Sequence, residues 1–187
     1  MKSEEELIEE ILNGELSSFE LLLHPYRQGV LNMAVYMTGD VEEAKEVCQE
    51  SFIKIFKYLR AFKKGKDFKN WLYKTVINCA YDHLNKKKRY GQLIEVQIDT
   101  YKPGVMGPEE TFIKNELRIK LNNCMQVLSP KEKAVFLLRD KQGLSIEETA
   151  EILKSSSISV RANLSRARKK LRIQIERLYP EEIGGDR

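Results

Sequence analysis

The chain has 187 residues, 42% of them hydrophobic and 32% charged, and a formal net charge of +4. This composition is ordinary for a folded chain of one large or two small domains, and it excludes an intrinsically disordered protein. Because no apolar run approaches the roughly 18 residues of a membrane-spanning helix and the acidic N-terminus is unlike a signal peptide, we expect a cytoplasmic protein with no direct membrane insertion.

The N-terminal part of the chain shows the pattern of short amphipathic helices. Ser3 and Glu6 form a capping-box pattern, which predicts a first short helix. A second helical stretch continues to about Thr38, and Pro25 within it must kink or divide the helix.

The next predicted helix begins at Asp40 and has one acidic face. The polar side chains on this face are Glu42, Glu43, Glu46, Gln49 and Glu50. Residues 1–50 as a whole contain twelve Asp or Glu against three Lys or Arg. Since an acidic segment approaches DNA only at an electrostatic cost, we expect this strip to contact protein, unless it is ordinary solvated surface.

Residues 60–89 reverse this balance and place aromatic residues beside lysines. They contain ten Lys or Arg against two acids, and the sequence KKGKD predicts a flexible basic loop whose last residue caps a long helix. Phe68 and Trp71 follow at the start of that helix. Aromatic faces stack on unpaired bases and lysines bind the backbone, so the segment suits single-stranded nucleic acid. The alternative is that both aromatics are core residues, which we favour for Trp71.

The segment that follows has the composition of a linker. Residues 90–110 include three glycines and two prolines and have few periodic apolar residues. We place a first domain at residues 1–91, a linker at 92–108 and a second domain at 109–187. Since no segment shows a strand pattern, the predicted fold class is all-α, with two small helical domains joined by a flexible linker and a helix-turn-helix in the second.

That helix-turn-helix is predicted over residues 144–172. Ser145 and Glu148 form a capping box for a short helix, and a longer basic helix follows with no acid between Glu151 and Glu176. A basic helix can be solvated surface, but beside a short bracing helix it favours duplex DNA. We expect phosphate contacts from residues 168–172. The candidates for base contacts are Ser159, Arg161, Ala162, Asn163, Ser165 and Arg166.

Residue types that carry catalysis or bind metal are sparse. Cys48, Cys79 and Cys124 form no C-x-x-C pair and fall on apolar helical faces, so we predict buried reduced thiols. No catalytic carboxylate pair, nucleophile with a base, metal cluster or glycine-rich phosphate loop is apparent. We therefore expect no enzyme activity, no cofactor, no metal and no small-molecule substrate.

Three motifs in this order resemble the extracytoplasmic-function (ECF) group of bacterial sigma factors. They are SFELLLHPY through GDVEEAKEVCQESF, then DFKNWLYKTVINCAYDHL, then LSPKEKAVFLLRDKQGLSIEETAEIL with LSRARKKLR. The resemblance covers nearly the whole chain and is far more specific than a lone helix-turn-helix. It implies a specificity subunit whose partners are core RNA polymerase, promoter DNA and an anti-sigma factor.

The resemblance also implies roles for particular residues. Contact with core RNA polymerase would fall on Asp40, Glu43, Glu46, Gln49, Glu50 and Phe52. Melting and capture of the minus 10 element would fall on Lys63, Lys64, Lys66, Asp67, Phe68, Asn70, Trp71, Lys74 and Asn78. Recognition of the minus 35 element would fall on Arg139, Ser159, Arg161, Ala162, Asn163, Ser165, Arg166 and Arg168.

The helix-turn-helix departs from the family pattern at its turn. Lys154 and Ser155 stand where a glycine and an apolar residue are usual, and Ser157 and Ile158 stand where an apolar residue and a glycine are usual. The sequence therefore leaves the turn geometry open. Asn163 replaces a common arginine, and since Asn prefers adenine where Arg prefers guanine, we expect a promoter preference different from that of relatives.

Two other functions are compatible with these residues. A stand-alone regulator would bind duplex operator DNA tightly without polymerase, with the first domain as a sensor or dimerisation module. A structural protein with merely solvated basic faces would show no salt-dependent binding to DNA.

Overall fold

A computed structural model describes residues 2–63, 65–91 and 119–180, and its regular elements in those ranges are all helical. The described residues form two compact units. The first comprises residues 2–34 and 42–91, and the second comprises 119–180 with 35–41. The all-α fold class is therefore confirmed. The predicted linker, residues 92–108, lies outside the described residues.

The first part of the chain folds into short helices followed by two long ones. The α-helices span Glu4–Leu12 (α1), Ser17–Leu23 (α2), Arg27–Thr38 (α3), Val41–Tyr58 (α4) and Phe68–Gly91 (α5). Two 3₁₀ turns, His24–Tyr26 and Leu59–Ala61, follow α2 and α4. Pro25 lies in the first of these turns, which confirms the predicted division of the second helical stretch.

The core of the first unit comes from the apolar faces of these helices. Fully buried members include Leu22, Val30, Met33, Ala44, Val47, Ile55, Leu59, Phe68, Leu72, Val76 and Ile77. Cys48, Cys79 and Cys124 of the chain are buried free thiols, as predicted. Within residues 2–63, 65–91 and 119–180, each helix is too short or too polar to span a lipid bilayer.

The second unit is built around the helix-turn-helix. Its described helices are residues 119–125 (α6), Pro130–Phe136 (α7), Ile146–Ile152 (α8) and Ser157–Leu178 (α9), and a π-helical turn, Leu137–Lys141, extends α7. The predicted start of α6 near residue 109 lies outside the described residues. Capping boxes begin both α7 and α8, through Ser129 with Glu132 and Ser145 with Glu148.

A small apolar cluster joins α7, α8 and α9. Val135, Ala150, Val160 and Leu164 are buried together, and Ile146 and Leu153 pack at the edge. The apolar stripe of α9 stays buried as far as Leu171, whereas Leu178 is exposed, so the packed stripe is shorter than the sequence predicted.

The turn between α8 and α9 is a tight helix C-cap with an unusual residue. The Ser155 N–H donates to the Ala150 carbonyl at 2.9 Å and the Lys154 N–H to the Glu151 carbonyl at 3.3 Å, which is the Schellman pattern. Lys154 has a φ of 47°, the left-handed conformation that this motif usually gives to glycine. Ser156 then caps α9 by accepting from the Ser159 N–H at 3.2 Å. The turn is thus a Schellman cap with lysine in the position that usually holds glycine.

Replacing Lys154 with glycine should stabilise the second unit by about 0.5–1 kcal/mol, because a side chain with Cβ costs about 1–2 kcal/mol in the left-handed region and glycine restores part of that. Thermal unfolding should shift upward by a few degrees. The matched variant, Ser155→Gly, adds backbone freedom without relieving a positive φ and should lower stability. A Lys154→Gly protein no more stable than the parent would show that the turn is unstrained.

Candidate functional site

One face of α9 is exposed and carries three of the six predicted base-contacting residues, Arg161, Ala162 and Ser165. The exposed side chains follow one another at helical spacing on the side opposite the buried stripe. This reading face, as we call it, consists of Ile158, Arg161, Ala162, Ser165 and Lys169. Arg161 is 64% exposed, and the nearest carboxylate oxygen, on Glu147, is 3.8 Å away. A long, accessible guanidinium in the first turns of such a helix is suited to base edges in a major groove.

Asn163 does not lie on the reading face. Its side chain is only 6% exposed, and its Nδ2 donates to the Ser159 carbonyl at 2.7 Å. Its Oδ1 accepts from Arg166 at 3.1 Å. The expectation that Asn163 reads adenine is therefore wrong for this conformation. Position 163 lies three residues after buried Val160 and four before buried Ala167, so the helical period could have assigned it to the packed side.

Part of the basic surface of α9 is neutralised by the second unit itself. Arg168 donates to both oxygens of Asp140 at 2.8 and 2.6 Å, and Lys170 donates to Glu132 at 2.8 Å. These carboxylates come from the preceding helical segment and not from α9, so the sequence of α9 alone did not indicate the ion pairs. Arg168 is thus a structural residue here, and phosphate contacts are left to more exposed cations such as Lys169.

Arg139 lies on the π-helical turn at the end of α7. It is half-buried, and its Nε is buried with no hydrogen-bond partner among the described residues. A buried donor without a partner costs about 1–3 kcal/mol, so Arg139 is held at an energetic cost beside the helix-turn-helix.

Glu132 is the main buried charge of the second unit, with a side chain 5% exposed. Burial opposes its ionisation, but hydrogen bonds from Lys170 and from the Ser129 N–H and hydroxyl outweigh burial and lower the pKa of Glu132 below its usual value of 4.5. Since the folded-state pKa lies below the unfolded one, the carboxylate stabilises the fold above pH 4.5, and this contribution is lost as pH falls through the folded pKa.

Glu132→Gln should therefore cost about 1.5–3 kcal/mol at neutral pH and should flatten the acid limb of the stability curve. Thermal unfolding followed by circular dichroism between about pH 6 and about pH 3 measures both effects. Glu147→Gln, which changes an exposed glutamate of α8, should behave like the parent. An equally steep loss of stability in acid for Glu132→Gln and the parent would contradict this role.

Ile158 is a member of the reading face that the sequence analysis noted only as a departure from the family pattern. It is 78% exposed in the first turn of α9, which is unusual for a large apolar side chain. An exposed apolar group at this position can contact a thymine methyl group in the major groove. The signal available in the sequence was its place on the same helical face as Arg161 and Ala162.

The basic loop of the first unit is a tight turn. The Lys66 N–H donates to the Lys63 carbonyl at 3.1 Å, and Gly65 has a φ of 81°, which favours glycine. Lys63 and Lys66 are both exposed. The predicted contact from Lys64 lies outside the described residues. Asp67 caps α5 by accepting from the Asn70 N–H at 2.9 Å, which confirms its predicted cap.

Beside this loop lies an aromatic cluster formed by Tyr26, Phe62, Phe68 and Trp71. The ring centroids of Phe62 and Trp71 are 5.2 Å apart, and those of Phe68 and Trp71 are 5.9 Å apart. Phe68 is 2% exposed, so its predicted contact with DNA is corrected to a supporting role beneath Trp71. Trp71 and Phe62 are half-buried and offer accessible ring surface. The sequence analysis did not include Tyr26 or Phe62, because contacts between distant rings depend on the tertiary fold.

The remaining predicted minus 10 residues lie along one side of α5. Asn70, Lys74 and Asn78 follow at intervals of four residues and are all at least partly accessible. Together with Lys63 and Lys66 they extend from the loop along the helix. This arrangement suits a single strand whose bases reach the aromatic cluster while its phosphates follow the lysines.

The acidic strip of α4 is divided between internal ion pairs and exposed positions. Glu43 accepts from Lys87 and lies 3.2 Å from His83 Nε2, and Glu50 pairs with Lys54 at 2.8 Å. The hydrogen bond from Lys54 lowers the pKa of Glu50. In contrast, Glu46 is 73% exposed. The exposed members of the predicted strip are Glu42, Glu46 and Gln49.

A groove of about 690 Å³ lies beside this strip on α4. Gln49 and half-buried Phe52, both predicted to contact polymerase, line it. Its other lining residues are Phe19, Arg27, Leu31, Lys45, Cys48, Ile53, Phe56 and Lys57. Ile53 is 58% exposed and Phe56 is 46% exposed, and burial raises the pKa of Cys48 to about 11. An apolar groove with a few basic residues at its rim is suited to an amphipathic helix of a partner protein.

Comparison with known proteins matches two parts of the chain to family models. The family model for sigma-70 region 2 matches residues 22–90, and that for sigma-70 region 4 matches residues 118–171. The chain is 27% identical to the RNA polymerase sigma-H factor of Pseudomonas aeruginosa over 96% of this chain and 97% of that protein. It is 26% identical to the ECF RNA polymerase sigma factor SigW of Bacillus subtilis over 91% and 96%.

Solved structures show the same fold. The sigma factor RpoE of Bartonella quintana, solved with the anti-sigma factor NepR, superposes with a TM-score of 0.71 at 20% identity, covering 84% of this chain and 96% of that one. CnrH, solved with the cytosolic domain of CnrY, gives 0.66 at 18% identity, covering 92% and 96%. With both sigma-70 regions and relatives matched along nearly their full length, the chain belongs to the ECF group of bacterial RNA polymerase sigma factors.

Proposed function

We propose that this sigma factor directs promoter-specific initiation through three separate surfaces. The groove and exposed strip of α4 bind core RNA polymerase, the basic loop with the aromatic cluster captures the minus 10 strand, and the reading face of α9 recognises the minus 35 element. The observation that carries the proposal is the presence, in one chain, of both a duplex-reading helix and an aromatic-lysine loop. A regulator of duplex DNA needs only the first.

The docking proposal rests on the exposed residues of α4. Glu46 projects from the strip, and Gln49 and Phe52 continue its surface into the apolar groove. Interfaces of this kind combine buried apolar anchors with a polar rim. The core-binding set therefore consists of Glu46, Gln49 and Phe52 as direct contacts, with Glu43 and Glu50 orienting neighbouring side chains on α4 and α5.

The melting proposal rests on the energetics of capturing a base. Unstacking and flipping a base costs a few kcal/mol, and stacking on an aromatic side chain returns about 1–3 kcal/mol per base. Trp71 and Phe62 supply the accessible rings, and Lys63 and Lys66 supply charge for the phosphates. The sigma factor lowers the energy of the opened strand in this way, while RNA synthesis belongs to the polymerase.

We also propose an anti-sigma factor that competes with polymerase for the groove on α4. RpoE was solved with the anti-sigma factor NepR, and CnrH was solved with the cytosolic domain of CnrY. In this chain Arg27, Lys45 and Lys57 line the apolar groove, a charge pattern suited to an amphipathic helix with acidic residues. Because core polymerase operates in the cytoplasm, we propose the same compartment for this chain.

Reconstitution with core RNA polymerase tests the proposed function. A promoter is selected from a random-sequence duplex library with the reconstituted holoenzyme, and run-off transcription is measured with and without the chain. We expect specific transcripts only when both components are present. Tight binding of the selected DNA by the chain alone, without stimulation of transcription by any core polymerase, would favour the stand-alone regulator.

A further inference from the structure

The first unit contains a helix to which none of the surfaces above gives a role. Helix α1, Glu4–Leu12, lies before the segment matched by the sigma-70 region 2 family model, residues 22–90. We propose that α1 is a brace that acts through Glu4 and Tyr26 to hold the aromatic cluster in position for the capture of unpaired promoter bases. This inference rests on the proposed function.

Helix α1 is firmly attached to the first unit. Ser3 and Glu6 form a complete capping box, with hydrogen bonds of 2.6 and 3.2 Å. Its apolar face is buried at Leu7, Ile8 and Ile11 and packs against α2. Glu10 accepts from the buried Ser18 hydroxyl at 2.6 Å and pairs with Lys2 at 2.6 Å. A helix fixed at its start, along its apolar face and near its end can hold neighbouring side chains in fixed positions.

The first connection to the aromatic cluster passes through Tyr26. The Tyr26 hydroxyl donates to the Glu4 carboxylate, and the Tyr26 ring lies 5.8 Å from Phe68. Burial, reinforced by the bond to Glu4 and by the charge of Asp67, raises the pKa of Tyr26, so the phenol stays protonated and remains a donor at neutral pH. Glu4 thereby fixes the Tyr26 ring, which supports Phe68.

The second connection passes through the turn that precedes the basic loop. Helix α1 packs against the 3₁₀ turn Leu59–Ala61, and the Phe62 N–H donates to the Leu59 carbonyl at 3.0 Å. The Phe62 ring then lies 5.8 Å from Phe68 and 5.2 Å from Trp71. Contacts from α1 therefore reach the cluster from two sides, at Tyr26 and at Phe62.

Positioning matters here because stacking depends on geometry. A base that leaves the duplex recovers its unstacking cost only if an aromatic face is already in place. Phe68 cannot supply that face because it is buried, so its contribution is to hold Trp71, and Tyr26 in turn holds Phe68. Loosening Tyr26 should therefore reduce promoter opening without touching DNA directly.

The test compares two templates with the reconstituted holoenzyme. One is the duplex promoter selected as above, and the other is the same promoter with a mismatched bubble across its minus 10 element, which needs no melting. The variants are Tyr26→Phe, Glu4→Ala and the double variant, and the readout is the rate of abortive transcript synthesis. We expect each single variant to lower the rate on the duplex promoter about threefold to tenfold and to stay near the parent on the bubble template.

The double variant should lower the rate on the duplex promoter no more than either single variant does, because Tyr26→Phe and Glu4→Ala remove the same hydrogen bond. Glu5→Ala, which changes an exposed glutamate of the same helical turn, should match the parent on both templates. The proposal would be overturned if the variants lowered the rate of abortive synthesis equally on both templates, if the losses of the two single variants added in the double variant, or if the rate on the duplex promoter did not fall. Failure of the proposed function is distinguishable, since the unmodified protein would then support no specific initiation on either template.

Discussion

Glu46→Lys will weaken binding of the sigma factor to core RNA polymerase by about tenfold to a hundredfold, equivalent to about 1.4–2.8 kcal/mol. Glu46 is an exposed acid of the α4 strip, next to Gln49 and the apolar groove, so a cationic partner surface loses its attraction and meets repulsion. The nearest ionisable group, the ring of His83, has its Nδ1 3.9 Å away, so little of the fold depends on Glu46. Stability should therefore change little.

The measurement is a titration of labelled sigma factor with core polymerase, read by fluorescence anisotropy at two salt concentrations. Glu5→Lys makes the same charge change at an exposed position of α1 and should bind like the parent. The difference between the two variants should shrink at high salt, because an exposed charge is screened. Parental affinity for Glu46→Lys would exclude this strip from the interface.

Arg161→Ala will lower affinity for the minus 35 duplex by about 1–3 kcal/mol and will relax the preference at one base pair. Arg161 has the longest side chain in the first turns of the reading face, and its nearest carboxylate, on Glu147, leaves it largely exposed. Binding of the holoenzyme to a panel of duplexes, each with one substituted minus 35 base pair, measures both the loss and the position that is relaxed.

Lys169→Ala separates base reading from phosphate binding. Lys169 lies two turns further along the reading face, so its loss should weaken all duplexes about equally and reduce the salt dependence of binding by about one ion. If Arg161→Ala also weakened every duplex equally, Arg161 would be a phosphate contact and not a reader of sequence.

The sequence predicted the features that depend on near neighbours. The capping boxes at Ser3 and Ser145 were both confirmed, because each joins residues three positions apart. Pro25 divides its helical stretch because proline lacks an amide hydrogen wherever it stands. Arg161, Ala162 and Ser165 of the reading face were also predicted, since their exposure follows from helical periodicity.

Interactions between distant residues were beyond the sequence. Lys170 pairs with Glu132 across 38 residues and Lys87 with Glu43 across 44, so which charges remain exposed depends on how the helices pack. For the same reason the sequence favoured Trp71 as the core residue, whereas Phe68 is the buried ring and Trp71 is half-buried. Asn163 is different, because the helical period of α9 already implied its place on the packed side.

Site-specific cross-linking in the open complex tests the central claim most directly. A photoreactive amino acid is placed at Lys63 in one protein and at Arg161 in another, and each is assembled with core polymerase on the selected promoter. We predict that position 63 cross-links to the unpaired strand at the minus 10 element and position 161 to the minus 35 duplex. Cross-links from position 63 only to duplex DNA, or none to DNA from either position, would contradict the account.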